Sequence, residues 1–378
     1  MPASNPVSMP ASNPAAARVE SRGHPASTDP SIDHRRRTLA TMMTIGPLAG
    51  QAGAAAPPAT PAPAVAAETL FLDSSDPSLA IHVRNKRPAD VERFDENRVV
   101  VLVHGATYPA ETGFDLDLPG GSWMDFLAQR GFDVYALDVR GYGRSTRPPA
   151  MNEPPSRHPP FAGTAEAIAD VAAVVDFVRR RRSVQRVNLI GWSWGTSLMA
   201  GFTQQANEKV ARLVLYAPLW LFDSPVTIPV EGAWRAVDRN TARSRNVAGI
   251  PAGRVEEISP RAWFDKWWAA NLATDPQGAA RKPPALRAPN GVMQDLRDHW
   301  AAGKPTWDPA AIRVPVLLLV GEWDRDTPPY MARDIDARLV NAPVHRLRIL
   351  PEGTHAMVLE RHRMRLIQEV QAFLEEAF

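Results

Sequence analysis

From about residue 68 to the C-terminus, two patterns of apolar residues take turns along the chain. Runs with almost no polar interruption fall at 98–103, 132–138, 186–191, 211–217 and 314–320. Each is the length of a strand, and continuous apolarity marks a strand covered on both faces. Between them the apolar residues recur at helical spacing. Over 164–181, Val171, Val174, Val175 and Val178 fall on one face, and further helices are predicted at 123–131, to about 207, at 329–339 and at 357–376. Short segments at 69–73 and 79–84 read as an antiparallel entry into the sheet, and 345–350 as its last strand. Strands alternating with helices predict an α/β fold with a doubly wound, mainly parallel sheet.

The alternation stops between 218 and about 307. That stretch has no buried-strand run, is punctuated by Pro and Gly, and holds seven of the 11 tryptophans. Short helices joined by loops are expected there, as a Trp-rich helical cap inserted after the sixth strand. The expected layout is a leader over 1–66, a first core segment over 67–217, the cap over 218–306 and a second core segment over 307–378.

Composition narrows the function classes. Residues 1–66 carry five arginines against three carboxylates, and the remainder of the 378-residue chain is electrically balanced. Nothing in that balance favours nucleic acid or an anionic membrane as a partner. Cysteine is absent, which excludes disulfides, thiol catalysis and thiolate-bound metal. No His/Asp/Glu spacing suggests a metal site and no Gly-rich loop a phosphate cradle, so no cofactor is expected.

The first 66 residues are rich in Pro, Ala and Ser and repeat Met-Pro-Ala-Ser-Asn-Pro at positions 1 and 9. Arg36 and Arg37 precede a weakly apolar run and two A-x-A sites, Ala52-Gly53-Ala54 and Ala64-Val65-Ala66. The arrangement resembles a twin-arginine export signal and implies a periplasmic or secreted protein, with a cytoplasmic protein bearing a disordered tail as the alternative. The apolar run is too short for a span needing about 20 residues, so stable membrane insertion is not expected.

The chemistry is concentrated at strand ends. In Val187-Asn188-Leu189-Ile190-Gly191-Trp192-Ser193-Trp194-Gly195, a strand runs into a helix through G-x-S-x-G. Such a turn holds a serine hydroxyl clear of the sheet, at a helix N-terminus that favours developing negative charge. Four other motifs follow predicted strands: His104-Gly105, Asp138-x-Arg140-Gly-x-Gly143-x-Ser145, Gly321-Glu-Trp-Asp324 and Gly353-Thr-His355. Together, and in this order, they resemble the α/β-hydrolase superfamily over roughly residues 68–378.

The resemblance implies a Ser193 nucleophile, a His355 general base and acid, and an Asp324 partner that orients the imidazole. It further implies an oxyanion hole made by the backbone N–H groups of Ala106 and Trp194. Asp326 lies two residues after Asp324, but the Gly-x-x-Asp spacing favours Asp324. His104, Asp138, Arg140 and Ser145 are read as loop-shaping residues. Trp192, Tyr108 and Trp220 are expected to contact substrate, and the Trp-rich cap suggests an apolar or aromatic one.

A serine at the elbow implies an acyl-enzyme, and the leading expectation is a small-molecule ester substrate. The Ser-Trp-Gly elbow is also similar to that of proline iminopeptidases, although His104-Gly-Ala-Thr-Tyr-Pro109 departs from their His-Gly-Gly-Pro-Gly loop. An aminopeptidase or amidase is therefore the second reading, and a non-catalytic hydrolase-fold ligand binder the third. Oligomeric state stays open.

Overall fold

The computed structural model describes residues 63–378. Ten strands occur among them: β1 (Val65–Asp73), β2 (Ala80–Pro88), β3 (Val99–Val103), β4 (Asp133–Leu137), β5 (Val187–Trp192), β6 (Val210–Tyr216), β7 (Trp234–Asp238), β8 (Ala285–Pro289), β9 (Val316–Gly321) and β10 (His345–Leu350). Eight form one sheet in the order β1-β2-β4-β3-β5-β6-β9-β10. β1 pairs antiparallel with β2, and β2 antiparallel with β4; every other neighbour is parallel.

Every residue of β3, β4, β5, β6 and β9 is buried, which is why these five runs have so little polar interruption. Successive side chains then alternate between two separate cores. Val99, Val101 and Val103 join the helices Thr164–Arg182 and Trp194–Gln205 in one core, through Val171, Val174, Leu198 and Met199. Val100 and Leu102 face the other core, with Met124 and Leu127 of Trp123–Ala128 and Leu366 and Val370 of Arg363–Glu375. Helices thus cover both faces, and the sheet is doubly wound as expected.

β3 lies between β4 and β5, so the chain leaves β3 in one direction along the sheet and returns on its other side. A reversal of this kind opens a crevice at the carboxyl ends of the flanking strands, where ligands of open α/β sheets bind. The residues just beyond those ends here are His104-Gly105 and Ser193.

The segment between β6 and β9 differs from the expectation of helices and loops alone. It contains the helices Arg239–Asn246, Arg261–Ala273 and Gly291–Asp298, but also an antiparallel ribbon pairing β7 with β8, from Trp234↔Pro289 to Asp238↔Ala285. Charge hid the ribbon. Arg287 sits mid-strand yet is only 4% exposed, because Asp275 holds its guanidinium at 2.6 Å and accepts its backbone N–H at 2.9 Å. Breaking a buried pair strands a charge, so Asp275→Ala should cost about 3–5 kcal/mol of stability, read from urea unfolding midpoints. A midpoint equal to the parent's would show that the ribbon does not depend on this pair.

Two smaller differences concern the ends of the chain. The segment expected as one helix over 357–376 is a short turn, Met357–Leu359, followed by the helix Arg363–Glu375. The break lets the buried Glu360 carboxylate accept the Thr354 hydroxyl at 2.5 Å, bracing the residue before His355. At the other end, Arg36, Arg37 and Ala52-Gly53-Ala54 lie outside the described residues. Ala64-Val65-Ala66 instead falls on the start of β1, where Val65 pairs with Pro88 and Ala66 with Arg87. The folded unit therefore begins before residue 67.

Candidate active site

The turn between β5 and the helix Trp194–Gln205 places Ser193 at φ 57°, ψ −122°, a left-handed geometry that non-glycine residues adopt only under strain. Neighbouring hydrogen bonds hold it there. Ser193 N–H donates to the Tyr216 carbonyl at 2.9 Å, while Thr196 donates to the Ser193 carbonyl from its hydroxyl (2.6 Å) and its N–H (2.9 Å). The flanking glycines are required by contact: a Cβ on Gly191 would lie 2.3 Å from the Gly195 carbonyl oxygen, and one on Gly195 would lie 2.6 Å from that of His104. No heavier side chain fits either position.

His355 follows β10 and Asp324 follows β9, and the two meet. The Asp324 carboxylate accepts from His355 Nδ1 at 2.9 Å, so the proton sits on Nδ1 and Nε2 is left as the basic nitrogen. The carboxylate is fixed in turn by the N–H groups of Asp326 (2.9 Å) and Thr327 (2.8 Å) and by the Thr327 hydroxyl (2.9 Å). Burial works to lower the His355 pKa, but the Asp324 charge and hydrogen bond, with a smaller contribution from Asp326, hold it above the ordinary imidazole value. The hydrogen bonds of the imidazole go to Asp324 and Thr327; none among the described residues closes onto Ser193 Oγ.

The His355 main chain is clamped as well. Its carbonyl accepts from Trp192 Nε1 at 3.1 Å and from Tyr216 OH at 2.9 Å, and the two aromatic rings stack at 5.8 Å. Trp192, expected as a substrate contact, therefore lines the cleft and also anchors the histidine loop.

Behind the loop after β3, His104 is fully buried and shapes that loop, as expected. Its Nε2 accepts from Val139 N–H at 3.1 Å, which puts the proton on Nδ1, and Nδ1 donates to the Gly105 carbonyl at 2.6 Å. That bond fixes the peptide joining Gly105 to Ala106 and hence the direction of the Ala106 N–H. Asp138 braces the same region by accepting from Ala110 N–H (2.8 Å), Arg144 N–H (3.0 Å) and His82 Nδ1 (2.9 Å). Arg140 is tied to Asp170 at 2.6 Å, and the Ser145 hydroxyl donates to the Asp138 carbonyl at 2.6 Å.

Ser193, His355, Ala106, Tyr108 and Trp192 line one cleft of about 50 Å³. On a scale where a single water needs about 10–15 Å³, this is space for a small group. Four residues of the 218–306 segment close it: Ala242, Arg245, Asn246 and Trp267. Trp267 packs edge-on against Tyr108 with centroids 4.4 Å apart. The Tyr108 hydroxyl is buried without a partner, and burial pushes its pKa up to about 12. Asp326 is present too, but Arg245 engages its carboxylate at 2.5 Å.

The model of the alpha/beta hydrolase fold family matches residues 98–362, which span the elbow, Asp324 and His355. The chain belongs to the α/β-hydrolase fold family. Several solved members share its architecture. A meta-cleavage product hydrolase from Pseudomonas fluorescens IP01 superposes with TM-score 0.55 at 14% identity, over 82% of this chain and 98% of its own. A serine hydrolase involved in carbazole degradation gives 0.54 at 18% identity, over 82% and 99%. An esterase from Exiguobacterium antarcticum gives 0.53 at 18% identity, over 81% and 99%. At these identities the likeness is one of fold.

One expected contact of this α/β-hydrolase lies elsewhere. Trp220 is 1% exposed, packs edge-on against Trp307 at 5.1 Å and donates from Nε1 to Asp334 at 2.6 Å, inside the core and outside the cleft. The Trp194 indole is likewise in the core, donating to the Thr164 hydroxyl at 2.9 Å, so only its main chain faces the serine turn. Arg245, Asn246 and Thr327 carry no local sequence signal and were not anticipated.

Proposed function

We propose that the protein is a serine hydrolase that cleaves carboxylic esters of small or medium apolar or aromatic groups through an acyl-enzyme on Ser193. The observation that carries this reading is the Asp324–His355 pair, ordered so that Nε2 is free, in one cleft with Ser193 and the Ala106 turn. In acylation, His355 Nε2 takes the Ser193 proton as Oγ attacks the ester carbonyl. The N–H groups of Ala106 and Trp194 stabilise the resulting oxyanion, and the imidazolium passes its proton to the departing alcohol. Water then repeats the sequence on the acyl-enzyme. Asp324 stabilises the imidazolium in both halves without itself being protonated.

The cap-like segment over 218–306 contributes Trp267 to the cleft, an apolar surface with few rotors to freeze. The carboxylates an aminopeptidase could use for a free amine are engaged or elsewhere. Glu257 pairs with Arg254 at 2.7 Å, Glu256 accepts from Arg261 N–H at 3.0 Å, and Glu231 lines a different groove. Asp326 is neutralised by Arg245. These placements favour ester over iminopeptidase chemistry. A panel of p-nitrophenyl acyl esters run beside a proline arylamide separates the two: turnover of short acyl esters is expected, and a preference for the arylamide would overturn the assignment.

The leader supports a periplasmic or secreted site of action. Because Val65 opens β1, processing is expected upstream of it, so that the mature N-terminus leaves the strand whole. Edman sequencing of the exported protein checks this, and a start after Ala66 would contradict it. Among the described residues no helix is long and apolar enough to cross a membrane.

A further inference from the structure

Arg235 lies on β7, in the segment inserted between β6 and β9, yet its guanidinium reaches the loop after β3. Nη2 donates to the Ala106 carbonyl at 2.5 Å and to the Thr107 hydroxyl at 3.0 Å. Nη1 donates to the Asn290 side-chain oxygen at 3.3 Å and to the Pro289 carbonyl, which ties the same group to the end of β8. Tyr142 OH donates to the Ala106 carbonyl as well, at 3.1 Å. Among the described residues no carboxylate lies within 4.0 Å of this guanidinium, whereas Arg287 on the facing strand is held by Asp275 at 2.6 Å. A partly buried cation without a counter-ion carries a desolvation cost, which here is met by four hydrogen bonds to the loop after β3 and the end of β8 and by no ion pair among the described residues.

We propose that Arg235 is a positioning residue for the oxyanion hole: it locks Ala106 from the inserted segment and places uncompensated positive charge behind the loop. The inference rests on the serine-hydrolase reading above. His104 fixes the peptide before Ala106 and Arg235 fixes the one after it, so the residue whose N–H meets the oxyanion is held on both sides. The charge acts in the same sense, favouring the negative oxygen of the tetrahedral intermediate over the neutral ester. The hole is then complete only while the ribbon is docked on the core.

The readout that separates this role from a structural one is the rate for an oxygen ester relative to the matching thionoester. Backbone N–H groups stabilise a developing oxyanion well and a thiolate-like sulfur poorly, so a formed hole gives a high oxygen-to-sulfur ratio. Arg235→Met should lower kcat for the oxygen ester by about 10²-fold, the size expected for loss of one oxyanion donor, with KM little changed. The thionoester rate should fall far less, so the ratio collapses. Arg235→Lys keeps the charge and one donor and should show the same change in smaller measure, which preserves the test if the methionine variant does not fold. A folded variant of either kind with the parent's ratio would overturn the proposal. If Ser193→Ala hydrolysed both esters as fast as the parent, the serine-hydrolase reading would fail and the role of Arg235 with it.

Discussion

Ser193→Ala should fold like the parent and lose roughly 10⁵–10⁶-fold in turnover of short p-nitrophenyl esters. The two halves of that expectation have separate physical grounds. The turn is held by the main chain and by Thr196, and among the described residues no hydrogen bond depends on Ser193 Oγ. Alanine at φ 57° is strained to a similar degree, so the melting temperature should move by no more than a few degrees. Chemistry, by contrast, loses the proposed nucleophile. What remains is carbonyl polarisation by the oxyanion donors and a histidine able to activate water, which in related triads leaves about 10³–10⁴ over solution. Initial rates beside a melting curve check both halves. A variant retaining more than a tenth of parental turnover would show that another group carries the reaction.

Asp324→Asn should reduce kcat by about 10⁴-fold and move the acidic limb of the pH–rate profile. His355 must be neutral to accept the serine proton, so activity rises with pH through its pKa. In the parent that pKa is held above the ordinary imidazole value, because the Asp324 charge and hydrogen bond outweigh burial. The amide removes that charge and leaves burial in control, so the limb should shift to lower pH even as the rate falls. Asparagine can also present its amide N–H to Nδ1, which favours the wrong tautomer and accounts for the size of the loss. Profiles of kcat/KM between about pH 5 and 9 test this, and a limb that stays in place would mean that Asp324 does not set the imidazole pKa. Asp326 is the natural control. Its carboxylate is engaged by Arg245, so Asp326→Asn should shift the limb only slightly.

The core was legible in the sequence because burial on both faces leaves a run of apolar residues that no other short element needs. The alternation of Val99, Val101 and Val103 against Val100 and Leu102 between two cores is the physical content of that signal. The β7–β8 ribbon was not legible, since Arg235 and Arg287 break its pattern, and Arg235 finds its partners Ala106 and Thr107 in a distant part of the chain. The candidate catalytic residues could be read because the fold puts each at a strand end, where a short motif survives. Residues that enter from the inserted segment have no such address. Arg245 and Trp267 reach the cleft from two different helices, and tryptophan content alone cannot tell Trp267, in the cleft, from Trp220, in the core. Trp192 shows a further limit: its neighbourhood to the serine pointed to substrate, while its indole N–H holds the His355 carbonyl.

The proposed acyl-enzyme on Ser193 is tested most directly by covalent labelling. A fluorophosphonate added to the folded protein should give a single adduct by intact mass, placed by peptide mapping on the segment bearing Ser193 and absent from Ser193→Ala. An unlabelled parent, or an adduct on any other residue, would contradict the assignment of Ser193 as the nucleophile.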